Sequence, residues 1–221
     1  MRNDRKPAAR PDRRSLRSRR ALIAAAEQLF AARGVEAVSV DDLIVAADLA
    51  KGTFYKHFED KLALARAVVA GVNADVEASI TDGSIGIDDL GLRCALALCT
   101  YARFASANPV RARALLRIEM AQWRHERHFE RDLGKNIKAG LASGLYRAPD
   151  ERSAMLFVLG VCNALLIASL GGRDPAVAAT GLVTMGLVGL GLPAAKAADL
   201  AERAAGAVFK PELPSGFAAS V

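Results

Sequence analysis

Side chains that could carry catalysis or bind a metal occur at few places in this sequence. His125 and His128 are three positions apart, whereas the helical zinc motif of metalloproteases needs two histidines four apart around a glutamate. Cys94 and Cys99 would lie about 140° apart around a helix, so they do not form a joint site. No Ser-His-Asp order, Walker loop or glycine-rich dinucleotide turn stands out. The sequence therefore predicts no enzyme activity, no cofactor and no metal. A helical metal protein that uses the two histidines is the less favoured alternative.

Positive charge is concentrated at the beginning of the chain, where it could neutralise an anion. The 221 residues carry a net charge of +6, with +7 in residues 1–20 and −1 in the rest. A basic run of this kind is either a solvated arm or a contact for nucleic acid. The whole chain is 52% hydrophobic and 24% charged, which excludes a disordered protein, and its many Ala, Leu, Arg and Glu residues favour helices.

The basic arm does not have the features of an export signal. Glu27 and Gln28 interrupt residues 21–30, so no continuous apolar segment with a small-residue cleavage site follows the charges. The three cysteines are an odd number, which argues against a disulfide framework and for buried, reduced thiols. A cytoplasmic protein is expected.

The residues after the arm have the apolar spacing of a helix. Leu22, Ala26 and Phe30 recur every four residues and so share one helical face. Gly34 follows, and glycine at that position ends helices because it adopts the left-handed conformation without a Cβ penalty. The spacing predicts a first helix that ends just before Gly34.

Two short helices are predicted to follow, separated by a turn. A capping box at Ser39–Asp42 begins a helix that runs to about Ala47, and a second short helix covers roughly residues 51–57. Two short helices joined by a turn of a few residues, behind a longer helix, form a helix-turn-helix, whose second helix lies in the major groove of DNA. The N-terminal residues of that helix face the base edges, which nominates Lys51, Thr53 and Phe54, or their immediate neighbours, for base contact. The preceding arginines, among them Arg17, Arg19 and Arg20, are placed to reach phosphates or the minor groove.

Residues 17–66 resemble the DNA-binding domain of the tetracycline-repressor (TetR) family. The residues that carry the resemblance are Leu22, Ala26, Phe30, Gly34, Ser39, Val40, Leu43 and the unbroken run from Ala46 to Lys61, which contains Lys-Gly-Thr-Phe-Tyr-Lys-His-Phe. The resemblance implies a phosphate clamp formed by Tyr55, Lys56, His57 and Lys61. Ser39 adds a hydroxyl at a helix N-terminus, which is itself a site for anions.

Three positions depart from the pattern of the family. Asp48 stands where glycine is usual, Ala50 where a serine or threonine cap is usual, and Ile44 where alanine is usual. These changes are expected to weaken the turn and the cap of the recognition helix slightly. They remove no group that faces phosphates or bases.

The resemblance also implies a function. TetR-family proteins are transcriptional regulators that occupy a palindromic operator as homodimers, and a small molecule that fills a pocket in the second domain releases them. This chain is therefore expected to be a repressor of that kind. An effector-independent DNA-binding protein or an activator with the same fold remains the alternative.

The rest of the chain reads as further helices without one convincing strand. An effector pocket is predicted among them, with the aromatic candidates Tyr101, Phe104, Trp123 and Phe157 and the possible polar anchor Asn163. Asn163 lies in an apolar run, and an interface between two copies of the chain is slightly favoured over effector contact for this residue.

Two long uncharged stretches, residues 153–172 and 175–195, could cross a membrane by length alone. Small and polar residues dilute both, so a membrane hairpin is the minor alternative. Helices that pack on their own domain with one face and on a second copy of the chain with the other are favoured. This predicts a homodimer formed by the helices at about 150–170 and 174–191.

The predicted architecture is all-α, with an N-terminal helix-turn-helix domain of three helices and a C-terminal helical domain for effector binding and dimerisation. The predicted boundaries are a basic disordered arm over 1–16, the DNA-binding domain over 17–60, the regulatory domain over 61–210 and an irregular tail over 211–221.

Overall fold

A computed structural model describes residues 13–121 and 132–210 of the chain. Within those residues the protein forms ten helices and no strand, so the predicted all-α fold is confirmed. The helices are α1 (Arg13–Arg33), α2 (Val40–Ala46), α3 (Lys51–His57), α4 (Lys61–Gly83), α5 (Leu90–Ala107), α6 (Pro109–Ala121), α7 (Asp132–Ala142), α8 (Glu151–Leu170), α9 (Pro175–Gly189) and α10 (Ala194–Val208).

The helix ends follow the capping signals in the sequence. Ser39 caps α2 in a complete capping box, in which its hydroxyl accepts from the Asp42 amide and the Asp42 carboxylate accepts from the Ser39 amide. These bonds and the nearby Arg33 hold the pKa of the Asp42 carboxyl below its ordinary value. Asp60, Asp150 and Asp174 cap the helices that they precede. The starts of these helices are therefore fixed by capping residues that lie next to them in the sequence.

The turn between α2 and α3 has two unusual positions. Asp48 has φ +52°, in the left-handed region where glycine is favoured. Ala50 occupies the N-cap of α3 with an extended backbone and makes no side-chain cap hydrogen bond. The strained backbone of Asp48 and the missing side-chain cap at Ala50 are the two reasons why this turn is expected to be weaker. Gly34, by contrast, has the predicted left-handed backbone at the end of α1, with φ +79°.

Replacing Asp48 with glycine is expected to stabilise the protein. The change removes the strain of a Cβ in left-handed backbone and should raise the free energy of unfolding by about 0.5–1 kcal/mol, a rise of a few degrees in Tm. Ala47→Gly is the matched control, because Ala47 has right-handed backbone with φ −88° and should lose stability instead. Thermal unfolding followed by circular dichroism checks both, and a lower Tm for Asp48→Gly would contradict the explanation.

Two helices differ from their predicted extents. α1 begins at Arg13, so it includes residues 13–16, which the sequence assigned to the arm. The spacing of Phe129, Leu133 and Ile137 in the sequence predicts a helix over about 122–142. This helix is described from Asp132 onward, and residues 122–131 lie outside the described part of the chain. The buried positions Leu133 and Ile137 on that helix agree with the predicted apolar face.

The buried side chains form two apolar clusters. The N-terminal cluster contains Phe30, Leu43 and Phe54 and extends into α4 through Leu64 and Val68. It also includes two α6 residues from much later in the chain, Ala114 and Ile118, which are 0% and 1% exposed. The second cluster joins α5, α8, α9 and α10 with parts of α4, α6 and α7. α4 and α6 therefore belong to both clusters and connect the DNA-binding helices to the rest of the molecule.

Arg111 on α6 links the two clusters by polar contacts. Its Nε donates to Glu27 Oε1 of α1 at 2.9 Å, and a terminal nitrogen lies 2.8 Å from Asp75 Oδ2 of α4. Its guanidinium also lies over the ring of Phe104, 5.5 Å from the centroid. Because the Arg111 side chain is 27% exposed, these contacts are screened less than those of an open surface pair.

The three cysteines are free and buried, as predicted. Burial raises the pKa of the Cys94 and Cys99 thiols to about 12. Both are therefore protonated at neutral pH and behave as small apolar groups, because the nucleophile is the thiolate.

One described helix, Glu151–Leu170, is long and apolar enough to cross a membrane by length and composition, with a mean hydropathy of 2.2. This is weak support for a membrane protein, because core helices of soluble proteins pass the same test. One side of the helix packs in the second cluster through Val158, Cys162 and Leu165.

Candidate nucleic-acid interface

The recognition helix α3 presents polar and basic side chains outward. Lys51, Tyr55 and Lys56 are exposed, and Tyr55 is 53% exposed despite its large ring. Thr53 and His57 are half-buried. The exposed side chains lie at the start and the end of α3, as base contacts and phosphate contacts would require.

Phe54 is wrongly nominated for base contact. Its side chain is 0% exposed and packs in the N-terminal cluster, with the rings of Tyr55 and Phe58 at 5.3 and 6.1 Å between centroids. A helix of only seven residues needs an apolar anchor on its inner face, and Phe54 supplies it. Phe54 therefore positions α3, and its buried ring is not placed to reach a base.

Lys51 is paired with a residue that the sequence reasoning missed. Its Nζ lies 3.0 Å from Asp41 Oδ1, and this hydrogen bond is the main cause that raises the pKa of Lys51. Asp41 and Val45 are four residues apart on α2 and so share one face, and Val45 is 82% exposed. The sequence signal for this exposed face was Val45, an apolar residue that lies outside the core spacing of Val40, Leu43 and Ile44. The predicted base contact of Lys51 would require its ammonium to exchange Asp41 for DNA.

The N-terminal arginines of α1 lie beside the far end of α3. The Arg19 guanidinium stands over the Phe58 ring, 5.3 Å from its centroid. Partial burial, then the charges of Lys56 and Arg19, lower the pKa of the His57 imidazole below its ordinary value. His57 is therefore neutral at pH 7. Arg17, Arg19 and Arg20 are exposed on the helix and extend the basic surface formed by α3.

Two predicted phosphate contacts have structural partners. The Lys61 Nζ donates to the carbonyl oxygen of Val38 at 2.7 Å and reaches that of Glu36 at 3.4 Å. It therefore fixes the loop between α1 and α2, with one of its three N–H groups left for an anion. Ser39 is exposed, but its hydroxyl also lies 2.8 Å from Asp42 Oδ2. Phosphate contact by these two residues stays a prediction.

The described residues that were predicted to hold an effector differ in exposure, and effector binding by them stays a prediction. Tyr101 is 2% exposed in the second cluster, and Phe104 is half-buried beneath Arg111. Phe157 is 42% exposed on α8, where its ring covers Gly189 so closely that a Cβ there would lie 2.3 Å from Cζ. Asn163 has a buried Oδ1 without a hydrogen-bond partner among the described residues. Trp123, His125 and His128 lie outside those residues.

A cavity of about 300 Å³ lies elsewhere, between the end of α4, the loop after it, α5 and α7. Its polar lining residues are Thr81, Ser84, Asp88, Arg93 and Asn136. The sequence offered no local signal for this cavity, because its walls come from segments about fifty residues apart. No group of three or more His, Cys, Asp or Glu that could hold a metal occurs among the described residues.

These features define the class of a helix-turn-helix DNA-binding protein with a second helical domain. Residues 22–68 match the family model described as bacterial regulatory proteins, tetR family. The N-terminal unit is therefore a TetR-family DNA-binding domain, and the predicted resemblance is confirmed. No curated protein shows significant sequence similarity to the chain.

Solved structures share the fold over most of the chain. RolR in complex with its ligand resorcinol is 23% identical, with 86% of this chain and 95% of that one covered and a TM-score of 0.55. A gamma-butyrolactone receptor, an ArpA-like protein, is 19% identical over 86% and 98%, with a TM-score of 0.59. A tetR-family transcription regulator from Shewanella sp. PV-4 is 19% identical over 80% and 99%, with a TM-score of 0.63. The chain thus has the fold of TetR-family transcriptional regulators.

Proposed function

We propose that this protein is a homodimeric repressor that occupies a palindromic operator and is released by a small-molecule effector. The DNA-binding domain is proposed to span residues 17–60, and residues 61–210 regulate and dimerise. The observation that carries the proposal is the outward face of α3, continuous with the arginines at the start of α1, on a rigid apolar base.

An exposed apolar face on α8 and α9 supports the dimer. Large apolar side chains are 42–70% exposed on these two helices, namely Leu156, Phe157, Ile167, Val177, Met185 and Val188. Asn163 lies on the same side of α8 as Leu156 and Ile167, because residues four and seven apart share a helical face. A second copy of the chain would cover this face around a two-fold axis and form a four-helix arrangement. Asn163 would then have a possible partner across the axis.

The helix α4 supports coupling between effector and DNA. Its N-terminal part packs in the N-terminal cluster through Leu64 and Val68, and its C-terminal part lines the cavity through Ile80 and Thr81. A ligand at one end therefore touches the element that positions the recognition helix at the other. Effector and DNA need only prefer different placements of α4 for each to weaken the binding of the other. The ligands of RolR and of the gamma-butyrolactone receptor are not assigned to this chain. The class of its own effector must be inferred from the residues that line its cavity.

Selection of bound duplexes from a random pool tests the proposal directly. A palindromic consensus is expected, bound at least about a thousandfold more tightly than a scrambled duplex at physiological salt. Footprinting across the genomic sites would then place the operator relative to the promoters that it controls. Equal affinity for all duplexes would refute sequence-specific regulation.

The roles of Lys51 and Arg20 can be separated by salt titration. Lys51→Met is expected to cost about 1–3 kcal/mol of binding free energy on the operator and little on a scrambled duplex, because it reads base edges. Arg20→Met should weaken binding to both duplexes and reduce the slope of log affinity against log salt by about one unit. Fluorescence anisotropy at several salt concentrations measures both.

Asp41→Asn is the matched variant for Lys51. It removes the carboxylate that competes with DNA for the Lys51 ammonium, so it should strengthen operator binding while leaving the lysine in place. If Lys51→Met weakened both duplexes equally, Lys51 would be a phosphate contact and the assignment would be reversed.

A further inference from the structure

The 300 Å³ cavity is lined by an arginine that has no ion-pair partner among the residues that the structure describes. Arg93 on α5 lines the cavity and is half-buried. Within the described residues its guanidinium forms neither an ion pair nor a side-chain hydrogen bond. Arginine cannot release its proton, and a partly desolvated charge without a partner is unfavourable. An anion that entered the cavity would remove this cost, and a carboxylate matches the planar guanidinium in two parallel hydrogen bonds.

Asn136 on α7 provides a second donor in the same cavity, and its side chain is fixed. It is 4% exposed, and its Nδ2 donates to the Leu90 carbonyl oxygen at 2.9 Å. Its Oδ1 lies 3.0 Å from the Tyr146 hydroxyl, whose ring is held against Gly140, where a Cβ would clash with it. The network occupies the amide oxygen and one N–H, so the second N–H of Asn136 remains for a ligand. A donor held in this way binds without losing side-chain entropy.

Isoleucine side chains form an apolar wall of the cavity. Ile80, Ile85 and Ile87 line it, and Ile85 is 78% exposed at the surface of the loop after α4. Asp88, also exposed, is the carboxylate of the rim. The cavity therefore combines two hydrogen-bond donors, Arg93 and Asn136, with a wall of isoleucines. Its volume is at the lower end of the range for small-molecule sites, which is roughly 300–1,000 Å³.

We propose that this cavity is the effector site and that it binds a small amphiphilic carboxylate. Arg93 and Asn136 hold the carboxylate group, and the apolar part of the molecule covers the three isoleucines. The inference rests on the proposed function for its regulatory meaning, because the ligand would contact the end of α4 that leads to the DNA-binding helices. Binding itself does not depend on DNA and can be measured on the free protein.

Calorimetry with hexanoate, octanoate, decanoate, benzoate and phenylacetate tests the site on the full-length protein. At least one carboxylate should bind with a Kd below about 1 mM, and the corresponding alcohol should bind about 10- to 100-fold more weakly, the effect of hydrogen bonds to a charged group. If no carboxylate binds, or if acid and alcohol bind equally, the proposal is overturned.

Three variants locate the binding. Arg93→Met should lose about 10- to 100-fold in carboxylate affinity, whereas Arg93→Lys, which keeps the charge, should lose less. Asp88→Asn should bind slightly more tightly because it removes a like charge from the rim. Lys138→Met on the exposed face of α7 is the matched control and should bind as the wild type does. Unchanged affinity in Arg93→Met, with a wild-type circular dichroism spectrum, would refute the site.

Operator binding separates this inference from the proposed function. The carboxylate that binds should weaken operator binding of the wild type and not that of Arg93→Met. If the carboxylate binds through Arg93 but no operator exists, the site stands and the proposed function fails. If an operator is bound but carboxylates are not, the proposed function stands and this inference fails.

Discussion

Ile167→Glu is expected to convert the dimer into a monomer. Ile167 is 58% exposed on α8, so the substitution leaves the interior of one chain intact, but a dimer would bury two glutamates near its two-fold axis. Each recognition helix would then bind its half-site alone, and operator affinity should fall by roughly 10²- to 10⁴-fold because the linkage between the half-sites is lost. Analytical ultracentrifugation at micromolar concentration and anisotropy titration measure the two effects.

The control places the same charge on another exposed helix. Ala195→Glu on α10 lies outside the apolar face of α8 and α9, so it should leave both the dimer and operator affinity unchanged. A dimer that persisted in Ile167→Glu would show that a different surface joins the two chains.

Phe54→Ala is expected to destabilise the DNA-binding domain severely. Removing a fully buried ring should cost about 3–5 kcal/mol of unfolding free energy, a large share of the roughly 5–15 kcal/mol that holds a domain folded. Urea unfolding followed by circular dichroism should show the loss. Operator binding would also fall, because α3 would lose its anchor.

Tyr55→Phe provides the contrasting result on the neighbouring residue. Tyr55 is exposed, and the variant keeps the ring that contacts Phe54 while removing the hydroxyl, so stability should stay within about 0.5 kcal/mol. Operator affinity should fall by about fivefold if the hydroxyl donates to a phosphate. If Phe54→Ala stayed as stable as the wild type and lost only operator affinity, Phe54 would be a base contact after all.

The helix ends that depend on neighbouring residues could be predicted from the sequence. Gly34 has the backbone expected of a helix-ending glycine and Ser39 caps α2 as expected, while Asp60, Asp150 and Asp174, which are common capping residues, cap the helices that they precede. Each signal lies within three residues of the group that it satisfies. α1 begins earlier than expected because arginine and leucine are good helix formers, and charge alone does not keep residues 13–16 out of a helix.

Side-chain direction on short helices was harder to predict. On the seven-residue α3 the apolar face is one residue wide, so Phe54 and Tyr55 could not be told apart as inner and outer by spacing alone. The pairing of Lys51 with Asp41 crosses a turn and depends on the angle between α2 and α3. The cavity forms where α7 packs beside α4 and α5. The sequence pattern of any single segment does not predict that packing.

The place of α6 has a consequence for building hybrid regulators from this chain. Ala114 and Ile118 complete the N-terminal cluster, and Arg111 bonds to α1, although more than eighty residues separate them from the start of that helix. A transplant that exchanges only the first three or four helices would leave a foreign surface facing α6 and a gap in the cluster. A working hybrid must therefore carry the inner face of α6 with its own recognition unit, as one discontinuous module.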